Sequence, residues 1–232
     1  MERAILMASG LGSRMRPLTE HTPKPLIPVC GKPMIETVIE GLLVRGVKEI
    51  TVVVGYLGEQ FDNLPKKYPA VRIVKNPYFE RVNNISSVYV AREMLRKGDC
   101  FVCEADLYIA NADIFRAELA NSCYFGKFVA GHSDDWVFDT DKDGVITRVG
   151  KVGDDRFNMV GIAYLKAREG ALLADMIEKR FGSKGYEELF WDDVVNENLD
   201  KLKLFVHPVE EGSLVEIDTP QELSEVEKRF SK

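Results

Sequence analysis

Apolar and polar positions follow two rhythms along this chain. In the first half, compact apolar runs at Arg3-Ala4-Ile5-Leu6-Met7, Glu49-Ile50-Thr51-Val52-Val53-Val54 and Val71-Arg72-Ile73-Val74 predict strands. Between the first two, Ile35, Val38, Ile39, Leu42 and Leu43 recur at helical spacing, with Pro33 at the entry and Gly46 at the exit. Ile85, Val88, Ala91 and Leu95 predict a second helix that Asn83 or Asn84 could cap. The apolar strand Cys100-Phe101-Val102-Cys103 then runs into Glu104-Ala105-Asp106. This β/α alternation predicts a doubly wound sheet with helices on both faces.

The rhythm changes in the second half. Residues 122–130, 136–138, 145–149 and 159–165 read as successive short strands with turns between them, forming a mixed or antiparallel extension of the sheet. Helical stretches at 168–181 and 186–196 and a strand at 202–207 follow. Thr219-Pro220-Gln221-Glu222 is a capping box with proline at the first helical position, which starts a last helix reaching about residue 230. No repeat or linker divides the chain. The expectation is an α/β protein, a single Rossmann-like domain over 1–232 with a doubly wound mixed sheet and a small β/α extension.

Composition narrows the function. Of 232 residues 45% are apolar, enough for a substantial core without disulfides or a structural metal. Lys and Arg number 31 against 37 acidic residues, a net charge of -6, which argues against nucleic-acid or anionic-membrane partners; any anion site must be a local basic pocket. No apolar stretch approaches a membrane span, so a soluble, cytoplasmic protein is expected. Cys100 and Cys103 form a C-x-x-C, but three positions apart on a strand they point to opposite faces, so they read as buried thiols rather than metal or redox ligands.

The chemistry concentrates at strand ends. Ala8-Ser9-Gly10-Leu11-Gly12-Ser13-Arg14 follows the first strand, and Pro23-Lys24-Pro25 closes the stretch. Two glycines free the backbone for positive φ and close ligand approach, while Arg14, Arg16 and Lys24 bring positive charge, so the loop reads as a phosphate cradle. It is neither a dinucleotide fingerprint, since Met15 stands at the third glycine position, nor a Walker loop. Two acidic pairs, Glu104 with Asp106 and Glu216 with Asp218, each lie two apart on extended chain and face one side. If both runs reach the glycine loop they offer hard oxygen ligands for Mg²⁺ beside phosphate-binding amides. Asp139, Asp141 and Asp143 imitate an EF-hand start, but the twelfth position is Gly150, so a turn at Asp143-Gly144 is the reading taken. His21, His132 and His207 are too scattered for a metal or triad site. Trp136 and Trp191 stand among acidic residues, as in aromatic boxes that bind quaternary ammonium groups, although partial burial under a helix explains them equally well.

The string G-x-G-x-R-x-x-P-L-T followed by P-K-P resembles the signature of the sugar-1-phosphate and choline-phosphate nucleotidyltransferases. Within that family the resemblance extends over nearly the whole chain to the bacterial choline-phosphate cytidylyltransferases, through Val54-Gly55-Tyr56-Leu57, Asn83-Asn84, Ala105-Asp106, residues 186–192 and Glu216-Ile217-Asp218. It implies transfer of a cytidylyl group from CTP to phosphocholine. Asp106 and Asp218 match the metal-holding aspartates, with Glu216 as a third ligand. Gly10, Gly12 and Arg14 are expected on the β and γ phosphates, and Lys24 on the α-phosphate and the incoming phosphate. Asn83, Asn84, Ser86 and Ser87 are candidates for the base or ribose, and Trp136, Phe190, Trp191 and Asp192 for choline. Phe190 stands where tyrosine is expected and Glu104 where aspartate is usual. A sugar-1-phosphate nucleotidyltransferase would use the same loop without two acid-flanked tryptophans, and 2-aminoethylphosphonate would differ only in offering a primary amine. A nucleotide-sugar glycosyltransferase would lack the glycine-loop string, and a non-catalytic nucleotide sensor would not need both acidic runs and Lys24.

Overall fold

The computed structural model describes residues 1–230. Four parallel strands carry the first half: β1 (Arg3–Ala8), then, after the two-residue strands β2 (Pro28–Val29) and β3 (Lys32–Pro33), β4 (Glu49–Val54), β5 (Val71–Lys75) and β6 (Cys100–Glu104). Helix α1 (Met34–Arg45) crosses from β1 to β4 and ends at Gly46, whose φ of 92° is the left-handed cap that glycine adopts without penalty. The short helix α2 (Leu64–Lys67) precedes β5, and α3 (Ile85–Ala91) and α4 (Glu93–Arg96) lead to β6.

After β6 come β7 (Leu107–Ile109) and two long strands, β8 (Cys123–Thr140) and β9 (Ile146–Leu165), then α5 (Ala167–Arg180), α6 (Trp191–Asn196), β10 (Phe205–Pro208), β11 (Leu214–Glu216) and α7 (Pro220–Phe230). The seven-stranded sheet runs β10-β8-β9-β6-β1-β4-β5, with β9 antiparallel to both neighbours. The four short strands expected between 122 and 165 are therefore one hairpin. Its ladder is irregular between Val129 and Trp136, and Gly131, Val152 and Asp155 have positive φ, which breaks the alternation that would mark continuous strands. The Asp143-Gly144 turn forms as expected, with Asp141 Oδ1 accepting from the Asp143 and Val145 amides at 2.8 and 2.9 Å. The second expected helix is shorter: residues 186–188 form a single tight turn and α6 begins at Trp191.

Two apolar layers sandwich the sheet. α1 contributes Ile35, Val38, Ile39 and Leu42 to one, although Leu43 faces solvent; α3, α5 and α6 pack on the other. Cys100 and Cys103 belong to opposite layers, as period-two geometry requires. A third cluster joins Met15, Ile27, Val29 and Met34 to Ile217 and Val226. It fastens the glycine loop to the C-terminal segment. The capping box of α7 forms, with the Thr219 amide donating to Glu222 Oε2 and the Glu222 amide to Thr219 Oγ1. No described helix is long and apolar enough to cross a membrane.

Candidate active site

The chain passes from β1 outward to β4 and β5, then returns to place β6 on the other side of β1. The crevice at such a switch point, beyond the carboxyl ends of the strands, is where open α/β sheets bind ligands. A cavity of about 320 Å³ lies there. Ala8, Ser9, Gly10, Gly12, Ser13, Arg14 and Lys24 line it together with Asn83, Asn84, Ser86 and Ser87 and the acidic residues Glu104, Asp106 and Asp218, and Ser87 Oγ donates to Ser9 Oγ at 3.3 Å. Leu11 does not line it and projects to solvent.

The two glycines serve different ends. Gly12 has φ +60°, and a Cβ there would lie 2.9 Å from Lys24 Cβ, so a side chain is excluded by conformation and by space. At Gly10 a Cβ would meet no protein atom, which leaves the space open to the cavity.

Chain pairing explains why acidic residues more than a hundred positions apart converge. β7 starts directly after Asp106 and β11 ends directly before Ile217-Asp218; the two pair antiparallel, with Glu216 opposite Leu107. Lys24 Nζ then bridges Asp106 Oδ2 at 2.6 Å and Asp218 Oδ1 at 2.7 Å, and Arg14 reaches the same Asp218 oxygen at 2.8 Å. Burial opposes the charge on Lys24, but these carboxylates outweigh it and raise its pKa, so it stays an ammonium. Oxygens of Asp106, Glu216 and Asp218 lie within 4.8 Å of one another, a hard-donor set that fits a small divalent cation. Enclosure and then the charges of Asp106 and Asp218 raise Glu216 above the ordinary carboxylate range, although its side chain still reaches solvent.

A second, much smaller cavity of about 10 Å³ opens from the same wall, sharing Met7 and Glu104 with the first and adding Tyr124, Met159, Gly161, Trp191 and Asp192. Glu104 Oε2 would stand 2.7 Å from a Cβ at Gly161, so the glycine makes room for the longer acid. Desolvation, then the charges of Glu216, Asp106 and Asp192, push Glu104 far up. Asp192 accepts a 2.9 Å hydrogen bond from the Tyr124 hydroxyl, yet burial still raises it to about 7.

The expected pairing of Trp136 with Trp191 does not occur. Trp191 is buried and stacks on Tyr124 with ring centroids 5.5 Å apart, while Trp136 meets Phe190 edge-on at 5.5 Å and lines neither cavity. Asn84 does not cap its own helix; its Oδ1 accepts from the Trp191 amide at 2.9 Å. Asn76, Phe79 and Val82 in the large cavity and Tyr124, Met159 and Gly161 in the small one are lining residues the sequence reading did not single out. Asn76 sits immediately beyond β5, and its position at a strand end was the one available signal.

Comparison with known proteins gives the family. The nucleotidyl transferase family model matches residues 3–122, which hold the glycine loop, Lys24 and Asp106. The chain belongs to that family. A 2-aminoethylphosphonate cytidylyltransferase of Lancefieldella rimae is 51% identical over 95% of this chain and 90% of its own. A choline-phosphate cytidylyltransferase of Streptococcus pneumoniae is 34% identical over 97% of each. The solved structure of the pneumococcal CTP:phosphocholine cytidylyltransferase superposes with a TM-score of 0.91, covering 99% of both chains at 34% identity. The likeness to this nucleotidyl transferase extends through the second half of the chain, beyond the segment that the family model matches.

Proposed function

We propose that this nucleotidyl transferase is a cytidylyltransferase that condenses CTP with 2-aminoethylphosphonate, releasing pyrophosphate. The observation that carries the choice of acceptor is the small cavity. About 10 Å³ is close to the least that holds one water molecule, room for a primary ammonium rather than three methyl groups. Its polar walls are two carboxylates, Glu104 and Asp192. A primary ammonium donates three hydrogen bonds, which such oxygens accept and a quaternary ammonium cannot use. Burial, and at Glu104 also the neighbouring acids, raises both carboxyls, and a bound cation favours their charged forms. The 51% identity to the Lancefieldella rimae enzyme points the same way.

In the reaction a phosphonate oxygen attacks the α-phosphorus of CTP, the new P–O bond forms, and the bond to the β-phosphate breaks with its electron pair leaving on pyrophosphate. The acceptor is anionic at neutral pH, so no general base is required. The protein must instead hold two anions together. The cradle at Gly10, Gly12 and Arg14 takes the β and γ phosphates, and Lys24, beside Asp106, faces the transferring group and incoming phosphonate. Asp106 and Asp218, with Glu216, are the residues that would hold Mg²⁺, which when bound offsets phosphate charge. The base and ribose fall to the wall carrying Asn83, Asn84, Ser86 and Ser87.

Phosphocholine is the second reading, favoured by the TM-score of 0.91 to the pneumococcal enzyme and by the Trp191 ring in the small cavity. Pyrophosphate release with each of the four NTPs crossed against 2-aminoethylphosphonate, phosphocholine, phosphoethanolamine and hexose 1-phosphates tests both. Highest kcat/KM with CTP and 2-aminoethylphosphonate is expected. Faster use of phosphocholine would overturn the acceptor assignment, and hexose 1-phosphate turnover would overturn the class.

A further inference from the structure

Asn84 ties the wall of the large cavity to the peptide at Trp191, which lines the small one. This side chain lines the large cavity, and its amide orientation is fixed because the Trp191 backbone N–H, which can only donate, lies 2.9 Å from Oδ1. Nδ2 makes no hydrogen bond among the described residues. The neighbouring Asn83 continues the seam: its backbone N–H donates to the Glu187 carbonyl at 2.8 Å and its Nδ2 to the Glu188 carbonyl at 3.3 Å. Residues 187–191 are thus stitched to the turn that opens α3; the segment ends on Trp191 and leads into Asp192, both of which line the small cavity. Phe190, the residue before α6, has no polar side chain to cap the helix, and its own amide donates to Asp193 Oδ2 at 2.8 Å. The Trp191 amide is one of the first donors of that helix, and an unmatched helix-end donor of this kind is satisfied here from another helix.

We infer that Asn84 is a positioning residue that couples the nucleotide site to the acceptor site. One planar amide presents its donor end to the large cavity and its acceptor end to the peptide that carries Trp191 and Asp192. A nucleotide that engages Nδ2 holds the amide plane at its second end, and the same plane steadies the peptide that carries the acceptor wall. Coupling of this kind is reciprocal: bound nucleotide raises acceptor affinity by the factor by which acceptor raises nucleotide affinity. The inference rests on the proposed assignment of nucleotide to the large cavity and acceptor to the small one.

Two substitutions separate the two ends. Asn84→Asp keeps an oxygen for the Trp191 amide and loses the donor; Asn84→Ala loses both. Binding of 2-aminoethylphosphonate is measured by calorimetry with and without α,β-methylene-CTP, a probe that cannot release pyrophosphate, alongside KM values for both substrates and melting curves. Wild type should bind the acceptor at least tenfold tighter when the CTP analogue is present. Asn84→Asp should keep the acceptor affinity of the nucleotide-free protein but lose most of the enhancement. Asn84→Ala should lose both, raising acceptor KM at least tenfold at saturating CTP. The inference is overturned if the enhancement survives in Asn84→Asp, or if Asn84→Ala leaves nucleotide-free acceptor affinity unchanged. If Asn84→Ala does not fold, the Asn84→Asp arm decides alone. A wild-type protein that binds neither substrate would instead refute the proposed function, whatever the variants do.

Discussion

Replacing Asp192 with asparagine separates what the fold requires from what the acceptor requires. The side chain is 4% exposed, and burial moves its carboxyl from the ordinary 3.8 to about 7. Between those values the native chain keeps a proton that the unfolded chain releases, so stability falls as pH rises through the window. At 1.36 kcal/mol per pH unit the whole displacement is worth about 4 kcal/mol, and the part between pH 5 and pH 7 about 3 kcal/mol. Asparagine still accepts from the Tyr124 hydroxyl and carries no charge. The stability advantage of Asp192→Asn over wild type should therefore grow by up to about 3 kcal/mol between pH 5 and pH 8. In melting curves that is roughly 5–10 °C for a chain of this size. Recognition should move the opposite way. Wild-type KM for 2-aminoethylphosphonate should fall between pH 6 and pH 8 as Asp192 ionises, whereas the variant should have a KM raised at least tenfold at pH 8. The acceptor's own phosphonate ionisation affects both proteins alike and cancels in their ratio. A melting difference independent of pH, or an unchanged KM ratio across this range, would refute the reasoning.

Lys24→Ala should lower turnover by two to three orders of magnitude, read as pyrophosphate release, because an oriented charge on the transferring group is worth about 3–4 kcal/mol; near-normal rates would remove Lys24 from the mechanism. Gly12→Ala puts a methyl 2.9 Å from Lys24 Cβ on a backbone with φ +60°, so it should raise the KM for CTP and lower stability by about 1–3 kcal/mol. Met15→Ala empties a fully buried position in the cluster shared with Ile217; a loss of about 2–5 kcal/mol in denaturant melts is expected, and a loss below 1 kcal/mol would mean that the cluster does not fasten the loop.

How much was legible in the sequence depends on how local each feature is. The glycine loop could be read because Gly12, Arg14 and Lys24 sit within a dozen residues and their spacing carries the geometry. The opposed faces of Cys100 and Cys103 followed from strand period alone. The convergence of Asp106 with Asp218 was suggested by the resemblance, but its cause, the pairing of Leu107–Ile109 with Leu214–Glu216, is a contact between strands too short to announce themselves. The two tryptophans show the limit most clearly. Their shared acidic flanks suggested one box, yet ring direction is set by the irregular ladder of the long hairpin and by the start of α6, and Trp136 ends on Phe190 while Trp191 ends on Tyr124. Tyr124 escaped notice because it lies in the apolar strand run Cys123-Tyr124-Phe125 and its partner Asp192 lies on another element.

The ribbon of β7 and β11 also bears on the order in which the protein becomes competent during synthesis. Translation delivers the glycine loop first, then Asp106, and Asp218 only about a hundred residues later. A nascent chain held at residue 200 owns the strands of the nucleotide crevice but neither the partner of β7 nor the second aspartate that Lys24 bridges. Such a chain has a cradle and no means of closing its charge balance. The acidic set is thereby incomplete until Asp218 has been made, and a chain ended at residue 212 should keep most of the sheet while losing nucleotidyl transfer.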